Sequence, residues 1–177
     1  GRAKNMCPTS PSRDGPEVPI GDSLESTARL SIRHAEQEGR PLAYIVVRVN
    51  RFESFKQRYG AQAAEQALTL LEAYLAASIR SSDACYSLGA GELLLIAQET
   101  THSGAWLFAA RVLRALQAAQ PQGEEMPATF SLGVADHIHG DDSDSLIARA
   151  RQRADGAEAA GDDRVFAHPP EEVDGEA

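Results

Sequence analysis

The run Arg80-Ser81-Ser82-Asp83-Ala84-Cys85-Tyr86-Ser87-Leu88-Gly89-Ala90-Gly91-Glu92-Leu93-Leu94-Leu95-Ile96-Ala97 holds two short apolar segments, Ala84–Leu88 and Leu93–Ala97. Between them stands a small, glycine-flanked turn, the pattern of a tight β-hairpin. Just ahead of the hairpin, Arg80 and Asp83 place a guanidinium and a carboxylate three residues apart at the expected end of a helix. Such a pair can grip a guanine nucleotide. The planar fork of an Arg suits phosphate oxygens or guanine O6 and N7, and a carboxylate accepts from the N–H groups of guanine's pairing edge. Read without further context, an Arg-x-x-Asp pair is a solvated surface contact of little energetic worth.

Working outward, helical spacing marks Ala63–Arg80, with Ala67, Leu68, Leu71, Leu75 and Ile79 on one stripe. After the hairpin, Ser103–Ala119 reads as a helix with Leu107, Ala110, Leu113 and Leu116 turned inward. Leu42–Val49 (LAYIVVRV) is apolar and β-branched throughout, the mark of a strand buried on both faces. Before it lies a helix carrying Leu24, Ala28, Ile32 and Ala35, capped by Asp22 or Ser23 and ended by Gly39. After it comes a short amphipathic helix, Phe52–Tyr59. Ala128–Ala135 reads as a strand, Ser143–Ala160 as a helix and Arg164–Ala167 as an edge strand. The order predicts an α+β fold, a mainly antiparallel central sheet flanked by helices, with one βαβ crossover.

The 177 residues fit one domain. Residues 1–20 read as a flexible linker, residues 21–168 as the domain, and 169–177 as an acidic flexible tail. A formal charge of -9 argues against binding a nucleic acid polymer, whose backbone needs a basic face. It leaves room for a small anion held by two or three Arg side chains. No run is long and apolar enough to cross a bilayer, so no membrane contact is expected of this chain. Cys7 and Cys85 match no metal or disulfide framework; Cys85 reads as a small buried apolar residue, and the setting as reducing and cytoplasmic. Asp136, His137, His139, Asp141 and Asp142 invite a metal reading, but a polar loop is the simpler account, and no metal is expected.

With these elements in order, the chain resembles the GGDEF domain of diguanylate cyclases, which make cyclic di-GMP from two GTP. The resemblance rests on RPLAYIVVRVNRF (Arg40–Phe52), the segment from Phe55 to Glu65 with Tyr59-Gly60, YSLGAGELLLIAQETT (Tyr86–Thr101), ATFSLGVA (Ala128–Ala135) and the later Arg149-Ala150, Ala159-Ala160-Gly161 and Arg164-Val165. It implies a nucleotidyl-cyclase palm-like fold with a ferredoxin-like core.

The resemblance also implies a degenerate member. The family's signature stands as Gly89-Ala90-Gly91-Glu92-Leu93, so its metal-binding third residue is Gly91. The family's other metal-binding Asp falls on Arg48, its guanine-binding Asn on Lys56, and the partner Asp on Glu65. A phosphate-facing Lys and Arg fall on Glu158 and Asp162. Mg²⁺ needs carboxylate oxygens; a unit charge pair at ~4 Å is worth about 4 kcal/mol at an effective dielectric near 20, so a guanidinium in place of a carboxylate beside a divalent ion costs several kcal/mol of metal affinity. Diguanylate cyclase activity is therefore expected to be lost, with Arg48 pairing Glu92 in the metal's place.

Arg80 and Asp83 fall where many cyclases carry an Arg-x-x-Asp product-binding site, six residues before Gly89. In the family a second Arg completes that site, here Arg111, with Arg114 as the alternative. The implied function is a cyclic di-GMP receptor module with no resident cofactor, taking its ligand singly or as an intercalated dimer. It would act on other domains of a larger parent protein. The alternative is a ligand-independent module for dimerisation or partner docking; an atypical active cyclase ranks last.

Overall fold

The computed structural model describes residues 23–119, 128–161 and 164–166. Ten elements follow in order: α1 (Leu24–Glu38), β1 (Leu42–Val49), α2 (Phe52–Tyr59), α3 (Ala61–Ser78), β2 (Ala84–Gly89), β3 (Glu92–Gln98), α4 (His102–Ala119), β4 (Phe130–Asp136), α5 (Ser143–Gly161) and β5 (Arg164–Phe166). They form one sheet in the order β2-β3-β1-β4-β5. The first four strands in that order are antiparallel to their neighbours, and β5 joins β4 in parallel through α5. This is the expected α+β arrangement, but with more crossovers than the one read from the sequence: α2 and α3 also carry the chain from β1 over β3 to the parallel β2, and α4 carries it from β3 over β1 to the parallel β4.

β1 is central and buried on both faces because its side chains alternate between two cores. Ala43, Ile45, Val47 and Val49 face α3 and α4, together with Leu71, Leu75, Leu93, Leu95, Leu116 and Phe130. Leu42, Tyr44 and Val46 face α1 and α5, together with Ala28, Ile32, Leu94, Ile96, Ala150 and Ala154. By the same alternation Arg48 belongs to the second face, at the end where that apolar core stops.

Local chemistry sets the ends. Ser23 Oγ accepts from the Ser26 N–H at the start of α1, and Gly39 closes the helix in the left-handed region at φ 65°. The phenol of Tyr44, wholly buried, meets Ser31 Oγ at 3.1 Å, and burial pushes its pKa up to about 12 against the lowering pull of Ser31. On the far side of β1, α5 lies unusually close to β4. A Cβ on Gly133 would stand 2.1 Å from the Ala150 carbonyl oxygen and 2.3 Å from the Ala154 nitrogen. The small residues of both elements permit that approach.

Three expectations shift. α3 ends at Ser78, so Arg80 and Asp83 stand in the turn before β2, closed by Asp83 N–H donating to the Arg80 carbonyl at 3.0 Å. Ile79 takes an extended conformation that ends the helical ladder. On α4, Leu107 is 57% exposed; the inward seam is Ala105, Ala109, Val112, Leu113 and Leu116. Small alanines let the helix settle on the sheet along a line that leaves Leu107 outside. β4 begins at Phe130, two residues later than read. Cys85 is buried, as expected, and Cys7 lies outside the described residues. The linker and tail, residues 1–20 and 169–177, lie outside the described residues, as does Asp162.

Candidate functional site

At the hairpin end of the sheet, Arg48 sits between Glu92 on β3 and Ser131 on β4 in the strand register. It donates Nε and Nη2 to Glu92 Oε2 at 2.9 and 2.6 Å, and Nη1 to Glu158 Oε1 at 3.0 Å. Nη1 also lies 2.7 Å from Asp155 Oδ1. Glu92 Oε1 accepts from Arg151 Nε at 3.0 Å, and Glu158 Oε2 from the Arg51 backbone N–H at 3.0 Å, with Arg51 Nη1 3.8 Å away. Arg151, Asp155 and Glu158 stand four and three residues apart on α5, one face of that helix.

Among the described residues, the three arginines and three carboxylates of this cluster balance in charge. Its centre is largely covered: Arg48, Glu92 and Glu158 expose 13%, 12% and 19% of their side chains. Burial pulls the Arg48 guanidinium toward losing its proton, but the bonds to Asp155, Glu92 and Glu158 outweigh it and hold the group charged above its ordinary range. The expected Arg48–Glu92 pair is present, within a larger network than the sequence suggested.

The turn that delivers Glu92 is sterically closed. Gly89, Ala90 and Gly91 all adopt positive φ, at 85°, 53° and 78°. A Cβ at Gly91 would meet Phe52 Cγ at 2.6 Å and Phe52 Cβ at 2.8 Å. The Phe52 ring therefore occupies the volume that any side chain at position 91 would need. Gly91 also accepts from the Val49 N–H at 2.9 Å, fixing the turn against the end of β1. Lys56 on α2 and Glu65 on α3 are exposed, and among the described contacts neither joins the Arg48 cluster.

At the opposite end of the hairpin strands, Arg80 and Asp83 touch. Asp83 Oδ2 accepts from the Arg80 backbone N–H at 3.2 Å and from Arg80 Nε at 3.3 Å. Asp83 Oδ1 accepts from Arg80 Nη2 at 3.3 Å and from the Gln98 N–H at 3.2 Å. Arg80 Nη2 also donates to the Gln98 carbonyl at 2.6 Å and to Thr100 Oγ1 at 2.7 Å. The Asp83 side chain is 7% exposed and turned inward, whereas Arg80 is 56% exposed yet fixed along its Nε–Nη2 edge. Arg111 and Arg114 lie on the exposed face of α4, Arg111 over the Phe108 ring at 5.8 Å from its centroid. Arg111 is nine residues beyond the start of α4, about 14 Å along its axis, and no described bond ties either Arg to Arg80.

In the loop before α5, Asp141 is engaged by Arg149 Nη2 at 2.6 Å and by the Ile138 N–H at 2.9 Å, and Asp142 accepts from the Ser145 N–H at 2.8 Å. Burial alone would raise the Asp141 pKa, but Arg149, Ile138 and Ser145 bring it down to about 2.

Arg51, Arg151, Asp155, Gln98 and Thr100 were not singled out in the sequence. The four- and three-residue spacing on α5 was visible, but which face meets β1 depends on the tertiary packing around Gly133.

A family model, "Diguanylate cyclase, GGDEF domain", matches residues 22–164. The chain belongs to the GGDEF domain family. It is 23% identical over 145 residues to the diguanylate cyclase DosC of Escherichia coli strain K12, a match covering 80% of this chain and 32% of DosC. The chain thus spans about a third of the length of the curated relatives it matches. Among solved structures it is similar to the active GGEEF domain of a diguanylate cyclase from Vibrio cholerae, with TM-score 0.74, 21% identity, and 82% of this chain and 94% of that chain covered. It is similar too to the GGDEF domain of DgcB from Caulobacter crescentus in complex with c-di-GMP, with TM-score 0.75, 17% identity, and 92% and 96% covered. A third is the diguanylate cyclase SiaD in complex with its activator SiaC from Pseudomonas aeruginosa, with TM-score 0.74, 20% identity, and 82% and 56% covered. At these identities the likeness is one of fold.

Proposed function

We propose that this chain is a GGDEF domain without cyclase activity, acting as a cyclic di-GMP receptor through Arg80. The reading rests on one observation, the neutral cluster around Arg48. A metal-dependent cyclisation needs carboxylate oxygens free to hold Mg²⁺ against a triphosphate. Here Glu92 and Glu158 already saturate a guanidinium, and Gly91 offers no ligand and no room for one. Arg80, by contrast, is exposed and held along its Nε–Nη2 edge, so the rest of its guanidinium can meet a phosphate or a guanine at little further entropic cost. Asp83 then serves to hold Arg80, and Arg111 or Arg114 supplies the second guanidinium to a ligand bearing two phosphates and two guanines. DgcB, similar in fold, is known in complex with c-di-GMP. The setting proposed is cytoplasmic; no described helix is long and apolar enough to cross a membrane.

A second reading is supported by Trp106 and Leu107, exposed at 41% and 57% on α4: a module that docks a partner protein without nucleotide. SiaD, similar in fold, is known with a protein activator. Two assays separate these readings. Incubation with GTP and Mg²⁺ or Mn²⁺ should yield no cyclic di-GMP; product would overturn the loss of activity. A thermal-shift screen of cyclic di-GMP, GTP and cyclic di-AMP should single out the first. A ligand at one hundred times its dissociation constant adds about 2.7 kcal/mol, and no shift with any nucleotide would favour the docking module.

A further inference from the structure

We infer that Thr100 is a positioning residue for Arg80, fixing its guanidinium in the orientation that receives an anionic ligand. This deepens the receptor reading above and rests on it for the ligand, though not for the geometry.

Arg80 Nη2 meets three acceptors: Thr100 Oγ1 at 2.7 Å, the Gln98 carbonyl at 2.6 Å and Asp83 Oδ1 at 3.3 Å. The Thr100 hydroxyl carries a single proton, and it goes to the Gln98 carbonyl at 2.8 Å. Its oxygen therefore presents a lone pair to Arg80 and cannot turn to compete as a donor. Thr100 itself is set by the backbone. Glu99 adopts φ 50°, an uncommon conformation for a side-chain-bearing residue, and this bends the chain after β3. Beyond the bend, the Thr100 N–H donates to the Pro41 carbonyl at 3.3 Å. Glu99 is held on its other side by Arg40 at 3.1 Å.

The outcome is a guanidinium fixed along one edge by Asp83, Gln98 and Thr100 while more than half of the side chain stays in solvent. An exposed Arg ordinarily samples many rotamers and loses that freedom on binding. Here much of the loss has already occurred on folding. Of the three acceptors, Thr100 is the one whose contribution is a neutral side chain and can be removed without touching a charge or the strand ladder.

The test uses the whole chain, with NMR of the Arg80 Nη2 protons, which Thr100 accepts, and calorimetric titration of cyclic di-GMP. Arg80→Lys identifies the Nη2 proton resonances by their disappearance. In Thr100→Val we expect those protons to exchange with water about tenfold faster and the cyclic di-GMP dissociation constant to rise about tenfold, the scale of one hydrogen bond to a charged group. Thr100→Ser, which keeps the hydroxyl, should restore both to within about twofold. Unchanged Nη2–H exchange in Thr100→Val overturns the assignment. Faster exchange with equal or tighter binding also overturns it, because the held orientation would then not be the receiving one. If the unsubstituted chain binds no cyclic di-GMP, the receptor reading fails, while the exchange rates still decide whether Thr100 holds Arg80.

Discussion

Glu92→Gln perturbs the Arg48 cluster at its most connected point. The substitution keeps shape and removes one charge. It leaves Arg48 Nε and Nη2, now at 2.9 and 2.6 Å from Glu92 Oε2, facing a neutral amide. It also takes the carboxylate partner from Arg151. Removing one member of a buried pair costs about 3–5 kcal/mol, because the remaining charge stays desolvated. Two features place this case at the lower end. Glu158 still engages Arg48 Nη1, and the Asp155 side chain, 67% exposed, lets water reach the rim. We expect about 3 kcal/mol, read as a fall in the urea midpoint at unchanged m-value, and a drop in Tm of about 6–12 °C for a chain of this size. The double variant Arg48→Met/Glu92→Leu should recover most of the loss, since a well-packed apolar pair is about as stable as a buried ion pair. A loss below about 1 kcal/mol for Glu92→Gln would refute the reasoning, for it would mean that water solvates the cluster as it does a surface pair.

Gly133→Ala should cost about 3 kcal/mol, at the upper end for overpacking, because the new methyl meets backbone atoms of α5 rather than a movable side chain; urea denaturation measures it. The folded pKa of Asp141, about 2, lies below its ordinary 3.8, so its contribution is fully present above about pH 4 and is lost as pH falls toward 2. That difference amounts to about 2 kcal/mol, and Asp141→Asn should flatten the acid limb of a stability–pH profile by this amount. Gly91→Asp should lower Tm and still make no cyclic di-GMP from GTP with Mg²⁺, since positive φ and the Phe52 ring oppose any side chain there.

The elements and their order along the chain were legible because hydrophobic period and turn chemistry agree, whereas the strand order within the sheet was not. LAYIVVRV could only be a strand covered on both faces, and the Gly-Ala-Gly turn could only join neighbours. Helix ends were less so. Ile79 leaves α3 under the pull of Asp83, which caps the turn from outside the helix, and no periodicity carries that information. The α4 seam was misplaced for a related reason: leucines dominate a pattern score, whereas alanines dominate a close approach. For the site, the Arg48–Glu92 pair followed from the family resemblance, which set both residues at the old metal position. The α5 partners and Thr100 did not. Asp155 and Glu158 reach Arg48 only because Gly133 lets α5 approach, and Thr100 reaches Arg80 only because Glu99 takes a left-handed conformation. Both are backbone facts that side-chain types do not announce.

Calorimetric titration of cyclic di-GMP into the unsubstituted chain and into Arg80→Ala bears most directly on the receptor reading. The account predicts a saturable heat at tens of micromolar ligand in the first and none in the second. No heat in the unsubstituted chain, or the same isotherm in both, would contradict it.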